Sequence, residues 1–103
     1  LLTVGPVYEM DRFIVNLLSQ SGRRYLKVTM NLEMDNDGLM SELDSKLPAV
    51  QDTIISILSS KTIEEISTVK GKEKLKEEIV GRLNEFLVDG KIQSVFFTQF
   101  VVQ

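Results

Sequence analysis

The chain has 103 residues, 43% hydrophobic and 26% charged, and this balance is typical of one globular domain rather than a disordered segment. Cysteine, histidine and tryptophan are absent, which excludes thiolate or imidazole ligands for structural zinc, a cysteine nucleophile and a histidine general base. The formal net charge of −3 argues against nucleic-acid binding, because phosphate contacts need clustered lysine and arginine.

Two strands are predicted at the start of the chain. Residues 7–18 are rich in apolar, aromatic and β-branched side chains, and Pro6 marks the beginning of this first strand. Residues 19–22 have turn composition, and strict alternation of apolar and polar residues follows from Leu26 to Met34. We therefore expect the second strand to lie on helices with one face only.

The spacing of apolar residues then changes to about 3.6, which indicates helices. Residues 35–38 supply turn and N-cap chemistry before a helical pattern from Leu39 to Leu58, and Pro48 predicts a break near Leu47. Residues 62–65 have the order of a capping box, which predicts a short helical turn. The best-defined helix follows Gly71 and is expected to end at residues 89–90.

Residues 92–102 are predicted to form a final strand that is apolar on both faces, which is typical of a strand central in its sheet or covered by another subunit. The order β-β-α-α-α-β predicts a single α+β domain in which a small antiparallel or mixed sheet packs on helices. Regular alternation places Ile92, Phe96, Phe100 and Val102 on one face of this strand, and Val95, Phe97 and Val101 on the other.

Acidic residues in the segment 33–44 partly match an EF-hand calcium loop. Glu33, Asp35, Asp37, Gly38 and Asp44 fall at its positions 1, 3, 5, 6 and 12. An EF-hand normally has aspartate first, a bidentate glutamate last and a helix before the loop, whereas a strand is predicted here. We interpret these residues as a strand-to-helix turn, and we expect neither a metal nor a cofactor.

The sequence contains no recognisable catalytic constellation. Gly71 and Lys72 lack the second glycine of a phosphate-binding loop, and the adjacent glutamates at 64–65 and 77–78 point in different directions on a helix. The serines have no histidine to activate them. We therefore predict a protein that is not an enzyme, has no small-molecule substrate and acts by binding other proteins.

The final strand supplies the candidate partner-binding residues, because it holds three of the five phenylalanines and aromatic side chains anchor protein interfaces. The candidates are Phe97, Phe100 and Val101. Burial in the core of the domain is the alternative explanation for each of them.

Seven segments carry a family resemblance when they are taken together. They are FIVNL at 13–17, RYLKV at 24–28, LP at 47–48, LSSKT at 58–62, GKEKL at 71–75, RLN at 82–84 and VFFTQFVVQ at 95–103. In order and spacing they resemble the FliL family of flagellar basal body-associated proteins over nearly the whole chain. The segments LSSKT and VFFTQFVVQ are the most specific.

The resemblance implies a protein with a short cytoplasmic tail, one helix in the bacterial inner membrane and a periplasmic domain, to which residues 1–103 would correspond. No run in the chain approaches the roughly 18 apolar residues that span a bilayer, so the anchor is expected upstream of Leu1. The implied fold is similar to that of the stomatin and prohibitin family, the SPFH domain, whose members form membrane-bound rings.

The implied partners are the stator proteins MotA and MotB. We expect a ring-forming scaffold that holds the MotB linker extended and supports motor torque, motility and swarming. A general membrane scaffold without stator contact and a ligand-sensing periplasmic domain are the alternatives. A ligand sensor should contain a pocket with convergent polar groups.

Overall fold

The computed structural model describes residues 3–103, so Leu1 and Leu2 of the domain predicted over 1–103 lie outside the described residues. The α+β class, with an antiparallel sheet packed on helices, is confirmed. The elements are β1 (Val7–Glu9), β2 (Phe13–Asn16), β3 (Tyr25–Met34), α1 (Leu39–Ser45), α2 (Leu47–Ser59), α3 (Ile63–Ile66), α4 (Val69–Asn84) and β4 (Ile92–Val102).

β3 is the central strand of the sheet. β4 pairs with it antiparallel along one edge, while β1 and β2 follow one another along the opposite edge. The side chains at even-numbered positions from Leu26 to Met34 are fully buried, whereas those at odd-numbered positions are at least partly exposed. The predicted one-sided burial of this strand is therefore confirmed, and on the helix side of the sheet α2 packs against β2 and α4 against β4.

The first predicted strand is divided into β1 and β2. Met10 and Phe13 are both buried although they are three residues apart, and a regular strand cannot turn such a pair to the same face. The exposed residues Asp11 and Arg12 belong to the irregular segment that connects β1 to β2. The Met10 amide still donates to the Met30 carbonyl at 3.1 Å, which keeps the interrupted strand on the edge of β3.

The helical region breaks where Pro48 predicts. α1 ends at Ser45, and α2 begins at Leu47 with the proline in its first turn. Proline is tolerated there because the first amides of a helix have no acceptor within the helix. Residues 3–103 therefore contain four helices, whereas the predicted order has three.

The expected side-chain cap of α1 is wrong. Its N-cap is Gly38, which makes no side-chain bond, because the polar side chains before it are used elsewhere. Asp35 Oδ1 accepts from the Lys91 amide at 3.0 Å, and Asn36 Nδ2 donates to the Asp89 carbonyl at 3.3 Å. These bonds join the end of β3 to the loop that leads into β4.

The predicted bounds of the last helix are also corrected. α4 begins at Val69, where Thr68 is the N-cap and its Oγ1 accepts from the Gly71 amide at 2.9 Å. It ends at Asn84, whose side chain bonds both the amide and the carbonyl of Ile92. Because these two bonds fix the start of β4 beside the end of α4, the chain leaves the helix before residues 89–90.

No helix within residues 3–103 is both long and apolar enough to cross a membrane.

The predicted capping box is confirmed at α3. Thr62 Oγ1 accepts from the Glu65 amide at 3.3 Å, and Glu65 Oε1 accepts from the Thr62 amide at 2.9 Å. Each side chain therefore satisfies an amide that the four-residue helix leaves free. The bond from the Thr62 amide, followed by one that the Thr62 hydroxyl donates to the same carboxylate at 3.1 Å, lowers the pKa of Glu65.

We expect Thr62→Ala to lower the free energy of unfolding by about 1 kcal/mol, because the Glu65 amide loses its acceptor. Urea denaturation followed by circular dichroism measures this change. Thr62→Ser keeps the oxygen and is the matched control, with a much smaller loss expected. Equal midpoints for Thr62→Ala and the wild type would contradict the prediction.

Candidate interaction surface

β4 lies at an edge of the sheet, so the first of its two predicted positions, central in the sheet, is wrong, while cover by another subunit stays a prediction. In the part of the chain that the structure describes, β3 is its only strand partner. Apart from those of Ile92, which bond the Asn84 side chain, the backbone groups that β4 directs away from β3 therefore lie at a free edge. Which strands pair is decided by contacts far apart in sequence, and the apolar pattern within one strand does not contain that information.

Two irregularities also redistribute the apolar side chains of β4. Register shifts leave Gln93 and Thr98 without an opposite residue on β3, and each extra residue reverses the alternation of faces. Val95 and Phe97 consequently join the helix-facing side, whereas Phe96 moves to the other side. The helix-facing residues, each paired with a buried residue of β3, are Ile92, Val95, Phe97, Phe100 and Val102.

The structure brings together two of the three candidate partner-binding residues. The rings of Phe97 and Phe100 are half-buried, with centroids 5.1 Å apart. Lys76 Nζ lies 5.4 Å from the centre of the Phe97 ring, and Lys72 Nζ lies 5.1 Å from that of Phe100. Through these cation–π contacts α4 touches both rings.

Val101, the third candidate, lies on the opposite face of the sheet. It pairs with Lys27 of β3, and 39% of its surface is exposed. The role of the three residues in partner binding stays a prediction. Phe97 and Phe100 lie on the helix-covered face of β4, whereas Val101 lies on its open face, so one flat partner surface cannot contact all three side chains.

A groove of about 450 Å³ runs between α4 and the free edge of β4. One wall is formed by residues of α4 that are three, four or seven positions apart and therefore lie on one face of the helix. The first half of β4 forms the other wall. Sequence reasoning did not find this groove, because it depends on how α4 lies against β4. Its lining residues are Glu73, Lys76, Glu77, Val80, Gly81, Gln93, Ser94, Val95 and Phe96.

The two edges of the sheet differ in how they resist pairing with another strand. β1 and β2 have three and four residues, and Pro6, Glu9, Asp11 and Arg12 stand in or beside them. Short strands, charges and proline are the usual protection of an edge. β4 has 11 residues without a charge or a proline, and its two irregularities are its main protection. The β4 edge is thus the better candidate for an interaction.

The residues of the apparent calcium loop serve other purposes. The carboxylate of Glu33 accepts from Ser94 Oγ at 2.6 Å and from the Gly5 amide at 2.7 Å, and these bonds lower its pKa. Asp44 Oδ1 accepts from the hydroxyl of Tyr8 at 2.5 Å. Burial and then this bond raise the pKa of Tyr8 to about 12. Within residues 3–103 no three acidic side chains are grouped so that they could hold a metal ion.

Glu42 is a buried carboxylate that the sequence pattern does not reveal, and only 6% of the residue is exposed. It accepts from Lys46 Nζ at 2.6 Å, from the Asp89 amide at 2.7 Å and from the Val88 amide at 2.8 Å. The bond from Lys46, followed by that from the Asp89 amide, lowers the pKa of Glu42 to about 2. Because its partners belong to the chain itself, Glu42 fastens α1 to the loop before β4.

Comparison with known proteins finds relatives of this chain among flagellar proteins. A family model described as flagellar basal body-associated protein FliL matches residues 7–103. The flagellar protein FliL of Aquifex aeolicus (strain VF5) is 42% identical over 101 residues, which cover 97% of this chain and 63% of that protein. The flagellar protein FliL of Bacillus subtilis (strain 168) is 30% identical over 100 residues, covering 97% and 69%.

A more distant relative is the flagellar FliL protein of Caulobacter vibrioides (strain NA1000 / CB15N). It is 23% identical over 96 residues, which cover 92% of this chain and 47% of that protein. The chain therefore spans between about half and about two thirds of the length of these relatives.

Proposed function

Because this chain belongs to the FliL family of flagellar basal body-associated proteins, we propose that it is a non-catalytic motor protein that associates with the MotA and MotB stator units. Copies of it form a ring-shaped scaffold around a stator and support torque, motility and swarming. The proposal also places the whole protein in the bacterial inner membrane, with this domain in the periplasm.

The observation that carries this proposal is the long uncharged edge of β4, together with the family membership. An open strand edge recognises an extended segment through backbone hydrogen bonds. A MotB linker in extended form is such a segment. Anchoring several copies in one membrane raises their local concentration, so that weak contacts between domains are sufficient.

The proposal predicts that Val101→Glu impairs motility. The substitution places a charge on the open face of β4, where Val101 is 39% exposed, and should weaken partner binding. The domain should stay folded, because Lys27 lies opposite on β3 and carries the opposite charge. The full-length protein carrying the change is expressed in a strain that lacks the gene. Swimming in soft agar and co-purification of MotB are measured, and we expect both to fall toward the values of the deletion strain.

Ile55→Glu is the matched control. Ile55 is 43% exposed, but it lies on α2 beside β2, at the other edge of the sheet. We expect this variant to swim and to retain MotB like the wild type. Normal swimming and normal MotB recovery with Val101→Glu, or equal losses with both variants, would contradict the assigned surface.

A further inference from the structure

The backbone groups that an added strand meets at β4 can be assigned from the register. Tyr25 and Gln103 exchange both of their backbone hydrogen bonds, at 2.9 and 2.8 Å, and the Asp35 amide donates to the Lys91 carbonyl at 3.0 Å. Bonded and non-bonded pairs alternate in an antiparallel ladder, so the odd-numbered residues of β3 bond to β4. Residues of β4 opposite even-numbered positions therefore direct their amides and carbonyls away from β3.

Val95 and Phe97 are two such residues, and they lie in the regular part of β4 between its two irregularities. Ile92 also points outward, but the Asn84 side chain bonds its amide and its carbonyl. A segment that adds to this part of the edge is therefore bonded to Val95 and Phe97. The two residues of the segment that face them are two positions apart.

The side chains of these two facing residues point toward α4. Residues opposite one another on neighbouring strands direct their side chains to the same face of the sheet. Val95 and Phe97 are on the helix-facing side, since each is paired with a buried residue of β3. The groove between α4 and the free edge of β4 lies on that side, so the incoming side chains enter it.

The position of each incoming side chain along the groove follows from how α4 lies on β4. Lys76 Nζ lies 5.4 Å from the centre of the Phe97 ring, and the Asn84 side chain bonds Ile92. The helix therefore runs antiparallel to the strand. Its residues 80 and 81 lie between these two contacts, at the level of Val95, and residue 77 lies at the level of Phe97.

Gly81 has no role in the packing of the chain itself. It lies inside α4, where glycine is less favourable than every residue except proline. Its backbone lacks the positive φ that favours glycine, and a Cβ atom at this position would meet nothing within 4 Å. By contrast, Gly71 of the same helix has no room for a Cβ atom. What the glycine at 81 does provide is free space in the wall of the groove.

A carboxylate stands at the level of Phe97 without a cationic partner. Glu73 shares its charge with Lys76 at 3.5 Å, whereas none of the ion pairs within residues 3–103 includes Glu77. Glu77 is exposed and lines the groove one helical turn from Gly81. It is therefore available to a basic side chain of a bound segment.

We propose that the groove is a side-chain pocket for the extended segment that adds to β4. It selects a large apolar residue opposite Val95 and a lysine or arginine two positions away, opposite Phe97. The apolar side chain occupies the space over Gly81 and contacts Val80, and the basic side chain pairs with Glu77. This inference rests on the proposed function, because it describes how the segment assigned to that edge is recognised. In strand addition, backbone bonds supply affinity and such pockets supply specificity.

A short synthetic peptide tests the pocket directly. It consists of threonine with one central leucine and a lysine two positions to either side, so that it fits with either strand direction. Binding to the isotope-labelled chain is followed by nuclear magnetic resonance, which measures weak affinities. We expect the amide signals of Gly81 and Val95 to shift on titration. Replacing the leucine of the peptide by alanine should raise the dissociation constant on the order of tenfold.

Gly81→Leu separates recognition from folding. The new side chain fills the space in the groove, so we expect the preference for the leucine peptide over the alanine peptide to disappear. The free energy of unfolding should rise, because leucine favours a helix more than glycine does. Opposite changes in binding and stability cannot result from damage to the fold. Arg82→Leu, at the next exposed position and outside the groove, is the control and should keep the preference for leucine.

Glu77→Gln tests the basic residue of the segment. The wild type should bind the lysine peptide about threefold more tightly than a peptide with glutamine at both lysine positions, as expected of an exposed ion pair. The variant should bind the two peptides equally. A preference for lysine that survives Glu77→Gln would overturn this part of the inference.

Three results would overturn the pocket itself. They are a wild type that binds no peptide at the highest concentration, equal affinity for the leucine and alanine peptides, and a Gly81→Leu variant that still prefers leucine. MotB is absent from the titration, so the two proposals fail separately. Peptide binding as expected, together with no recovery of MotB by the wild type, would refute the stator proposal alone. Equal recovery of MotB by the wild type and by Gly81→Leu would refute the pocket alone.

Discussion

Glu42→Gln should lower the melting temperature of the domain by several degrees at pH 7. The carboxylate accepts from Lys46 and from the amides of Val88 and Asp89, whereas a glutamine side chain has one acceptor oxygen and one donor group. At least one of these three donors would then face another donor, and leaving a donor unpaired at a partly buried site is costly. Thermal unfolding followed by circular dichroism measures the change. The control is Glu64→Gln at an exposed position of α3, for which we expect little change.

The same residue predicts how stability depends on pH. The pKa of Glu42 is about 2 in the folded chain against an ordinary value of 4.5, so folding favours the ionised form. Its contribution is complete above pH 4.5 and is lost as the pH falls toward 2. The melting temperature of the wild type should fall more between pH 5 and pH 2 than that of Glu42→Gln. Glu33 and Glu65 also have lowered pKa values, so only the difference between the two proteins isolates Glu42. Parallel pH profiles would contradict the assignment.

Gly71→Ala and Gly81→Ala are the same substitution in the same helix, and we expect opposite effects on stability. A Cβ atom at Gly71 would lie 1.9 Å from the Glu65 carbonyl oxygen and 3.0 Å from Thr68 Oγ1. The backbone of the α3–α4 turn would have to move, at a cost of about 1–3 kcal/mol. A Cβ atom at Gly81 meets nothing within 4 Å, so alanine should stabilise the helix by up to about 1 kcal/mol.

Urea unfolding of the two variants at low protein concentration, where association is negligible, measures both changes. The free energy of unfolding should fall for Gly71→Ala and rise for Gly81→Ala. A rise at both positions would show that helix propensity alone decides the effect. A fall at both would show that α4 does not tolerate substitution at either glycine.

The local patterns in the sequence predicted local structure well. The alternation from Leu26 to Met34, the break at Pro48 and the capping box at Thr62 each depend on residues close together in the chain, and each is confirmed. The same holds for the α+β class, which follows from the succession of such patterns.

The features that could not be predicted depend on distant parts of the chain. The position of β4 at the edge is set by the pairing of β1 and β2 with the other side of β3. The extra residues Gln93 and Thr98 look like ordinary members of an alternating strand, yet they decide which face each phenylalanine occupies. Phe97 and Phe100 were identified from their residue type, whereas Gly81 became a groove residue only through the packing of α4 on β4.

The position of all four helices between β3 and β4 has a consequence for folding during synthesis. Val28 pairs with Phe100, so the ribosome translates the entire helical layer before the central strand can acquire its second neighbour. The helices and the β1–β2–β3 ladder have mostly local contacts and can form early, whereas closing the sheet requires a long chain segment to be brought together. A nascent chain therefore presents the bare edge of β3 until β4 emerges. In the finished domain β4 covers that edge.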